Sequence, residues 1–415
     1  MSKQYEHSRE AAKTTFNKVS SLENIEKKKE QQPIFTLEPD QFRGLEMREI
    51  LDVPTLNYRK LPENERISPL YPVEKEYLLY EPGEVNEELL KEVLSKYRLT
   101  PETPVLVLPY GEKNRIGWET RRLYFSLALT AEGKFNKQPV IEDVEKNYKN
   151  LPVTRIISFG NCNVVCPYCK RDCQFIDETG NPIISIPIPL MEIARLAEGA
   201  QKRNEVIRFS GGDPVVYPRQ VLALSEYLMK CHSVKVSIAH NGSGPRWVEK
   251  MLPYLSSAAI DLKAVPEKIG KVMGISLEKG EKMYNLSLET QELISQNRIL
   301  LDTRTPIFGD TTIEEMRRLA EDISKQNNLD YTFWTWRLYK PVEGCDWSVP
   351  KKENTVEMIQ KVSEEFPDLW MGMRAKWEKG GMLYLRKGRI VNATPDVTKE
   401  DILEMGSGNG IKIVV

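Results

Sequence analysis

Long apolar runs are missing from this 415-residue chain: none reaches the roughly 18 residues that a membrane-spanning helix needs. The first residues carry no signal-peptide core either. Excess charge of one sign is also missing. Lysine and arginine total 59 against 60 aspartates and glutamates, a formal net charge of −1. The whole-chain field therefore makes no case for nucleic acid or an anionic membrane as a partner. Histidine is scarce, at three residues, and cysteine is limited to six. Six cysteines, three of them bunched, do not make a disulfide framework; they suit a reducing compartment where thiolates stay available to metal. No fixed-period repeat is visible, which sets solenoids and propellers aside. The expectation is a soluble cytoplasmic protein of one large domain or two ordinary ones.

The chain changes character along its length. Residues 1–33 are polar and charged and read as an arm without a core of its own. Residues 34–150 form an N-terminal extension. Its first half is rich in proline and tyrosine (Pro54, Tyr58, Pro62, Pro69, Tyr71, Pro72), which prevents long helices. Helical spacing then covers 84–97, a strand follows at 104–109, and a loop at 110–122 combines arginines with aromatics. From Arg155 to about residue 350 the pattern alternates. Strands are predicted near 155–160, 205–210, 234–239, 258–263, 298–305 and 331–338, and helices near 189–203, 218–231, 245–254, 282–297 and 312–326. Such alternation predicts a parallel sheet with helices packed outside it, an α/β fold of six units. Residues 351–415 read as a small C-terminal cap, with a helix near 355–365 and short strands near 369–374, 382–385, 389–391 and 411–415.

The densest chemistry lies just after the first of these strands, in Cys162-Asn-Val-Val-Cys166-Pro-Tyr-Cys169. Three thiolates on one tight loop can hold three irons of a cubic [4Fe–4S] cluster and leave the fourth iron open to a ligand. Other readings compete. A Cys-x-x-Cys pair fits a thioredoxin-like redox site, and Cys173 offers a fourth donor for a closed zinc or cluster site.

This signature, with an aromatic before the last cysteine, resembles that of the radical S-adenosylmethionine (radical SAM) superfamily. Later motifs follow in order: Ser210-Gly-Gly-Asp-Pro214, Ala239-His-Asn-Gly242, Ile260-Asp-Leu-Lys263 and Thr303-Arg-Thr-Pro306. The set is similar to the branch that activates glycyl-radical enzymes, although Ala239-His240 departs from that branch. The resemblance implies a partial (β/α)6 barrel, a [4Fe–4S] cluster and S-adenosylmethionine as cofactors, and an electron donor such as flavodoxin or ferredoxin. It also implies reductive cleavage of S-adenosylmethionine to a 5′-deoxyadenosyl radical that takes hydrogen from a substrate. The substrate is a protein partner, or else a small metabolite, peptide or nucleotide. A non-catalytic iron–sulfur or zinc protein is the reading from another class.

Under the resemblance Cys162, Cys166 and Cys169 are the cluster ligands, and Tyr168 lies against the adenine. Gly211, Gly212 and Asp213 approach the methionine ammonium; the plain alternative is a tight strand-to-loop turn. His240 and Asn241 contact the ribose or methionine, or His240 is merely satisfied by a local hydrogen bond. Asp261 and Lys263 fall on the same side of one strand, since they are two residues apart. Two charges inside a barrel pair with each other or serve the cofactor carboxylate, for which Arg304 is a second candidate. Trp334 and Trp336 share a face and either wall a cavity or belong to an aromatic core. Cys173, Cys231 and Cys345 are scattered, so no second cluster is expected.

Overall fold

The computed structural model describes residues 77–109, 115–120, 153–160, 162–164, 166–169, 185–341, 345–374 and 382–393. The expectations for residues 1–76, most of the 110–122 loop, Cys173 and the strand at 411–415 lie outside them.

The N-terminal segment contributes β1 (Leu78–Leu79), α1 (Glu87–Lys96), β2 (Pro104–Val107), β3 (Arg115–Ile116) and β4 (Trp118–Thr120). The alternating region then runs β5 (Thr154–Phe159), β6 (Ile186–Pro189), α2 (Leu190–Lys202), β7 (Val206–Gly211), α3 (Pro218–His232), β8 (Val236–His240) and α4 (Pro245–Met251). It continues with β9 (Leu255–Asp261), α5 (Pro266–Met273), α6 (Leu277–Gln296), β10 (Leu300–Ile307), α7 (Ile313–Gln326) and β11 (Thr332–Leu338). The C-terminal part adds α8 (Lys352–Glu365), β12 (Trp370–Arg374), β13 (Met382–Arg386) and β14 (Arg389–Ala393). Local signals set several of these ends. Thr312 and Glu315 form a reciprocal capping box at the start of α7, and Ser276 caps α6 through the Lys279 amide.

One open twelve-stranded sheet carries the fold, in the order β14-β13-β12-β11-β10-β9-β8-β7-β5-β2-β6, with β4 also on β5. All neighbouring pairs from β5 through β12 are parallel. The sheet does not close on itself, as a partial barrel requires. The six predicted strands are present, and β12 makes a seventh parallel member by pairing with β11 from Phe333↔Trp370 to Arg337↔Arg374. This part of the expected cap is thus continuous with the sheet, and antiparallel β13 and β14 finish that edge. At the other edge β2 enters antiparallel between β5 and β6.

Alternation along the strands separates two faces. Leu262, Ile307, Trp334, Trp336, Met371 and Met373 point to the helix layer and pack with Met316, Leu319, Val356 and Ile359. Trp334 and Trp336 are therefore core, with ring centroids 5.2 Å apart, and do not wall a cavity. The opposite, inner face is polar. Asp261, Arg304 and Thr335 are in register across β9, β10 and β11. Beside them Thr335 Oγ1 donates to Asp302 at 2.5 Å. Farther along, Arg208, Ser237 and Ser257 are joined by side-chain hydrogen bonds of 3.0 Å.

Candidate active site

The thiol loop leaves the carboxyl end of β5 and is fixed by its small residues and its polar ones. A turn closes at Cys169 N donating to Cys166 O at 2.9 Å, around Pro167 and Tyr168. Val164 and Cys166 are buried in the same apolar cluster as Leu262, Val265 and Ile269, and Cys162, Tyr168 and Cys169 pack against it. Asn163 is buried and donates to Ser243 Oγ at 2.8 Å. Asn241 Nδ2 donates to Asn163 Oδ1 at 2.6 Å and approaches Cys162 Sγ at 3.8 Å. These amides bind the loop to the end of β8. The motif reading had no signal for Asn163 or Ser243, whose value arises only from their meeting about 80 positions apart.

The three thiols are not in disulfides, and they are close enough that Cys166 and Cys169 both act on Cys162. Burial first, then Asp213 and Cys166, push the Cys162 thiol well above its ordinary pKa. Metal ligation would draw off that proton. Three thiols on one loop are the donor type that a three-thiolate cradle for a cluster needs.

At the end of β7 the chain turns under tight constraint. Gly211 adopts φ +113, and a Cβ there would strike the Phe159 backbone. Gly212 N donates to Phe159 O at 2.7 Å, so this turn is stitched to the strand that feeds the thiol loop. Asp213 is buried, and its carboxylate is fully engaged within the protein. One oxygen accepts from Val215 N at 2.9 Å and lies 2.7 Å from His240 Nδ1; the other accepts from Asn241 N at 2.7 Å. Gly244 N donates to His240 Nε2 at 3.0 Å. Nε2 is therefore the acceptor and Nδ1 carries the proton donated to Asp213. Both ring nitrogens of His240 are thus engaged within the protein.

Asp261 ends β9 and Lys263 lies just past it, their charged atoms 2.8 Å apart. Lys263 also donates to Tyr168 Oη at 3.2 Å, which ties the pair to the thiol loop. Burial alone would raise the Asp261 pKa, but Lys263 foremost, then Arg337 and Arg304, hold it below the ordinary carboxylate value. Burial would likewise depress Lys263, yet Asp261, Tyr168 and Cys166 keep it well above its ordinary range. Burial pushes the Tyr168 phenol up against the opposing pull of Lys263. Arg304 sits inside β10 rather than at its end and donates to buried Asp302 at 2.6 Å. The Tyr168 ring meets Phe308 edge-on at 5.3 Å, and Phe308 in turn meets Trp347 at 4.6 Å. Beyond this aromatic group lies a cavity of about 270 Å³ lined by Lys263, Val265, Lys268, Lys271, Phe308 and Trp347 among others.

The structure thus brings together Cys162, Cys166, Cys169, Tyr168, Gly211, Gly212, Asp213, His240, Asn241, Asp261 and Lys263 at one rim, with Arg304 deeper on the inner face. That rim is where ligands lie in parallel α/β folds, at the carboxyl ends of the strands. Cys231 is the penultimate residue of α3, in the helix layer, and Cys345 lies near the aromatic group. Neither joins the thiol loop. No helix among the described residues is long and apolar enough to cross a membrane.

Residues 156–323 match the model of the Radical SAM superfamily. The chain is similar to 7-carboxy-7-deazaguanine synthase of Methanocaldococcus jannaschii, 23% identical over 184 residues that make up 42% of this chain and 71% of that protein. Among solved structures it is similar to a radical SAM methyltransferase from Sphaerobacter thermophilus (TM-score 0.40, 13% identity, 68% of this chain and 79% of the other). It is also similar to Streptococcus suis SuiB bound to S-adenosylmethionine (TM-score 0.35, 12% identity, 50% and 42%). The superfamily whose model matches residues 156–323 is one of enzymes that work with a [4Fe–4S] cluster and S-adenosylmethionine.

Proposed function

We propose that the chain binds a [4Fe–4S] cluster through Cys162, Cys166 and Cys169 and uses S-adenosylmethionine to remove hydrogen from a small anionic substrate. When bound, the cluster and its nucleotide supply one-electron cleavage of a carbon–sulfur bond and a carbon radical that takes hydrogen. Everything else falls to the protein's own groups. The Asn163–Asn241–Ser243 amides hold the loop's shape. Gly211 and Gly212 let backbone approach the ligand, and Asp213 with His240 fixes the end of β8 rather than meeting the ligand directly. Lys263, anchored by Asp261, places a cation beside Tyr168 for the cofactor's carboxylate. Arg304, anchored by Asp302, offers a second cation on the inner face. The aromatic group of Tyr168, Phe308 and Trp347 keeps bulk water from the rim. The observation that carries the reading is one spatial fact: the three thiols and the motifs from β7, β8 and β9 meet at the same strand ends.

Two features favour a small substrate over a glycyl-radical protein partner. The similar archaeal protein is named for making a small carboxylated heterocycle. The inner face also presents Arg304 with Arg337 and Arg374, the last two at facing register positions, and arginine forks suit a carboxylate or phosphate. The order of motifs favours the protein-activating alternative. We further propose a one-electron protein reductant, a cytoplasmic setting, residues 151–350 as the catalytic core, and flanking residues 34–150 and 351–415 as shapers of the substrate space.

Anaerobic reconstitution with iron and sulfide, then dithionite and S-adenosylmethionine, tests the reading. Methionine and 5′-deoxyadenosine should accumulate, and Cys162→Ser should abolish both. Bound zinc with no nucleoside product would sink it. With a deuterated substrate candidate, label appearing in 5′-deoxyadenosine identifies a small substrate; a glycyl-type radical signal on an added protein identifies the alternative.

A further inference from the structure

We propose a second metal site, in the helix layer, where Glu198, Cys231 and His232 bind one divalent transition ion of the zinc type. Glu198 stands on α2, and Cys231 and His232 are the last two residues of α3. One donor atom from each lies within 4.8 Å of the other two. Donors around a tetrahedral zinc are separated by about 3.3–3.8 Å, given bonds of about 2.0–2.3 Å. Small side-chain rotations therefore close the set.

A purely structural hydrogen-bond cluster accounts for part of this arrangement. His232 Nε2 lies 2.8 Å from one Glu198 oxygen, and Tyr227 Oη donates to the other at 2.6 Å. Tyr227 Oη itself accepts from Asn86 N at 3.1 Å. The Glu198 charge is balanced within this cluster only when the His232 imidazole is protonated. The Glu198 side chain is 4% exposed, and a carboxylate that deep calls for a full opposing charge. Among the described residues its side-chain partners are a phenol and an imidazole, and no lysine or arginine forms an ion pair with it. Cys231 adds a second anion-forming ligand beside it.

Two more features ask for a cation here. The site sits at the carboxyl end of α3, where helix carbonyls favour positive charge; Ser233 closes that end in the left-handed conformation. The donor set is one sulfur, one nitrogen and one oxygen, which suits zinc better than magnesium or calcium. Tyr227 would orient the carboxylate from behind, as outer partners of metal ligands do. The His232 side chain is 35% exposed, which gives the ion a path from water and leaves a coordination position facing solvent. On binding, the thiol gives up its proton to solvent and the two anions balance the dication. The bound ion would clamp α2 to α3.

The test uses the cluster-loaded enzyme, in which the thiol loop is already taken. After incubation with zinc and desalting, metal analysis should find one zinc per chain beyond the iron. Zinc X-ray absorption should show one sulfur near about 2.3 Å and lighter neighbours near about 2.0 Å. Cys231→Ser, His232→Ala and Glu198→Gln should each weaken zinc retention at least tenfold. His232→Ala changes a part-exposed side chain, so it keeps the test open if the other variants fold poorly. Zinc retained equally by Cys231→Ser and His232→Ala, absorption spectra without a sulfur neighbour, or no zinc above the desalted blank would each overturn the site.

Discussion

Asp213 receives the Nδ1 proton of His240 across 2.7 Å, while the same carboxylate holds the backbone amides of Val215 and Asn241. One buried group thereby joins the end of β7 to the end of β8, and through Asn241 it reaches the thiol loop. Asp213→Ala would leave these donors buried and unsatisfied, each worth about 1–3 kcal/mol. The variant should lose about 2–5 kcal/mol of stability in urea unfolding of the metal-free protein. Asp213→Asn keeps the shape but turns an amide donor toward other donors, so it should recover only part of the loss. Wild-type stability in Asp213→Ala would show that these bonds do not hold the rim together.

The three loop thiols are separable from the other cysteines by iron content. Cys162→Ser, Cys166→Ser and Cys169→Ser should each drop reconstituted iron from about four per chain toward zero. Cys345→Ser should leave it unchanged, because Cys345 is no part of the Cys162–Cys169 loop and packs against the Phe308–Tyr339 cluster. Iron retained in a loop variant would mean that another donor completes the cradle.

Much of this arrangement is legible in the residues themselves. The parallel strands announce themselves by β-branched runs such as Val206-Ile207, and the two-residue spacing of Asp261 and Lys263 put both on one side. What escaped had physical causes. Strand β6, Ile186–Pro189, alternates isoleucine with proline and reads as a non-strand; it is tolerated because it pairs only with β2, at the sheet edge. Helix α5 has eight residues, two turns, too few to stand out by periodicity. Strand β12 looked like part of a cap, since nothing local in Trp370–Arg374 says that it pairs parallel with β11. The anchoring roles of Asn163 and Ser243 depend on long-range register, which composition does not record. Arg304, the second candidate for the cofactor carboxylate, lies three residues inside the end of β10.

Gly211 is a position where substitution should be poorly tolerated. Its φ of +113 disfavours any L side chain, and an added Cβ would meet the Phe159 N and O atoms. Backbone strain of this kind costs about 1–3 kcal/mol, and the steric overlap adds to it. Gly211→Ala should yield little folded protein, or fold with a lowered melting temperature and poor iron loading. A variant with normal stability and loading would show that the β5–β7 junction can relax.

Lys263 and Asp261 give a prediction with a definite sign in pH. The folded Asp261 pKa lies below its ordinary value despite burial, because Lys263, Arg337 and Arg304 favour the carboxylate. A lowered folded pKa means that the unfolded chain binds the proton first. Asp261 therefore contributes stability that is complete above the ordinary aspartate range and is lost as the pH falls through the depressed folded value. Unfolding free energy of the metal-free protein, measured from neutral to acid pH, should fall below about pH 4, and the fall should be shallower in Asp261→Asn. Lys263→Met separates the functional role from the structural one. Asp261 still faces Arg304 and Arg337 in that variant, so stability should change modestly. The cation beside Tyr168 is gone, so the KM for S-adenosylmethionine should rise at least tenfold. If KM is unchanged while stability collapses, the pair is a structural ion pair and Lys263 does not meet the cofactor.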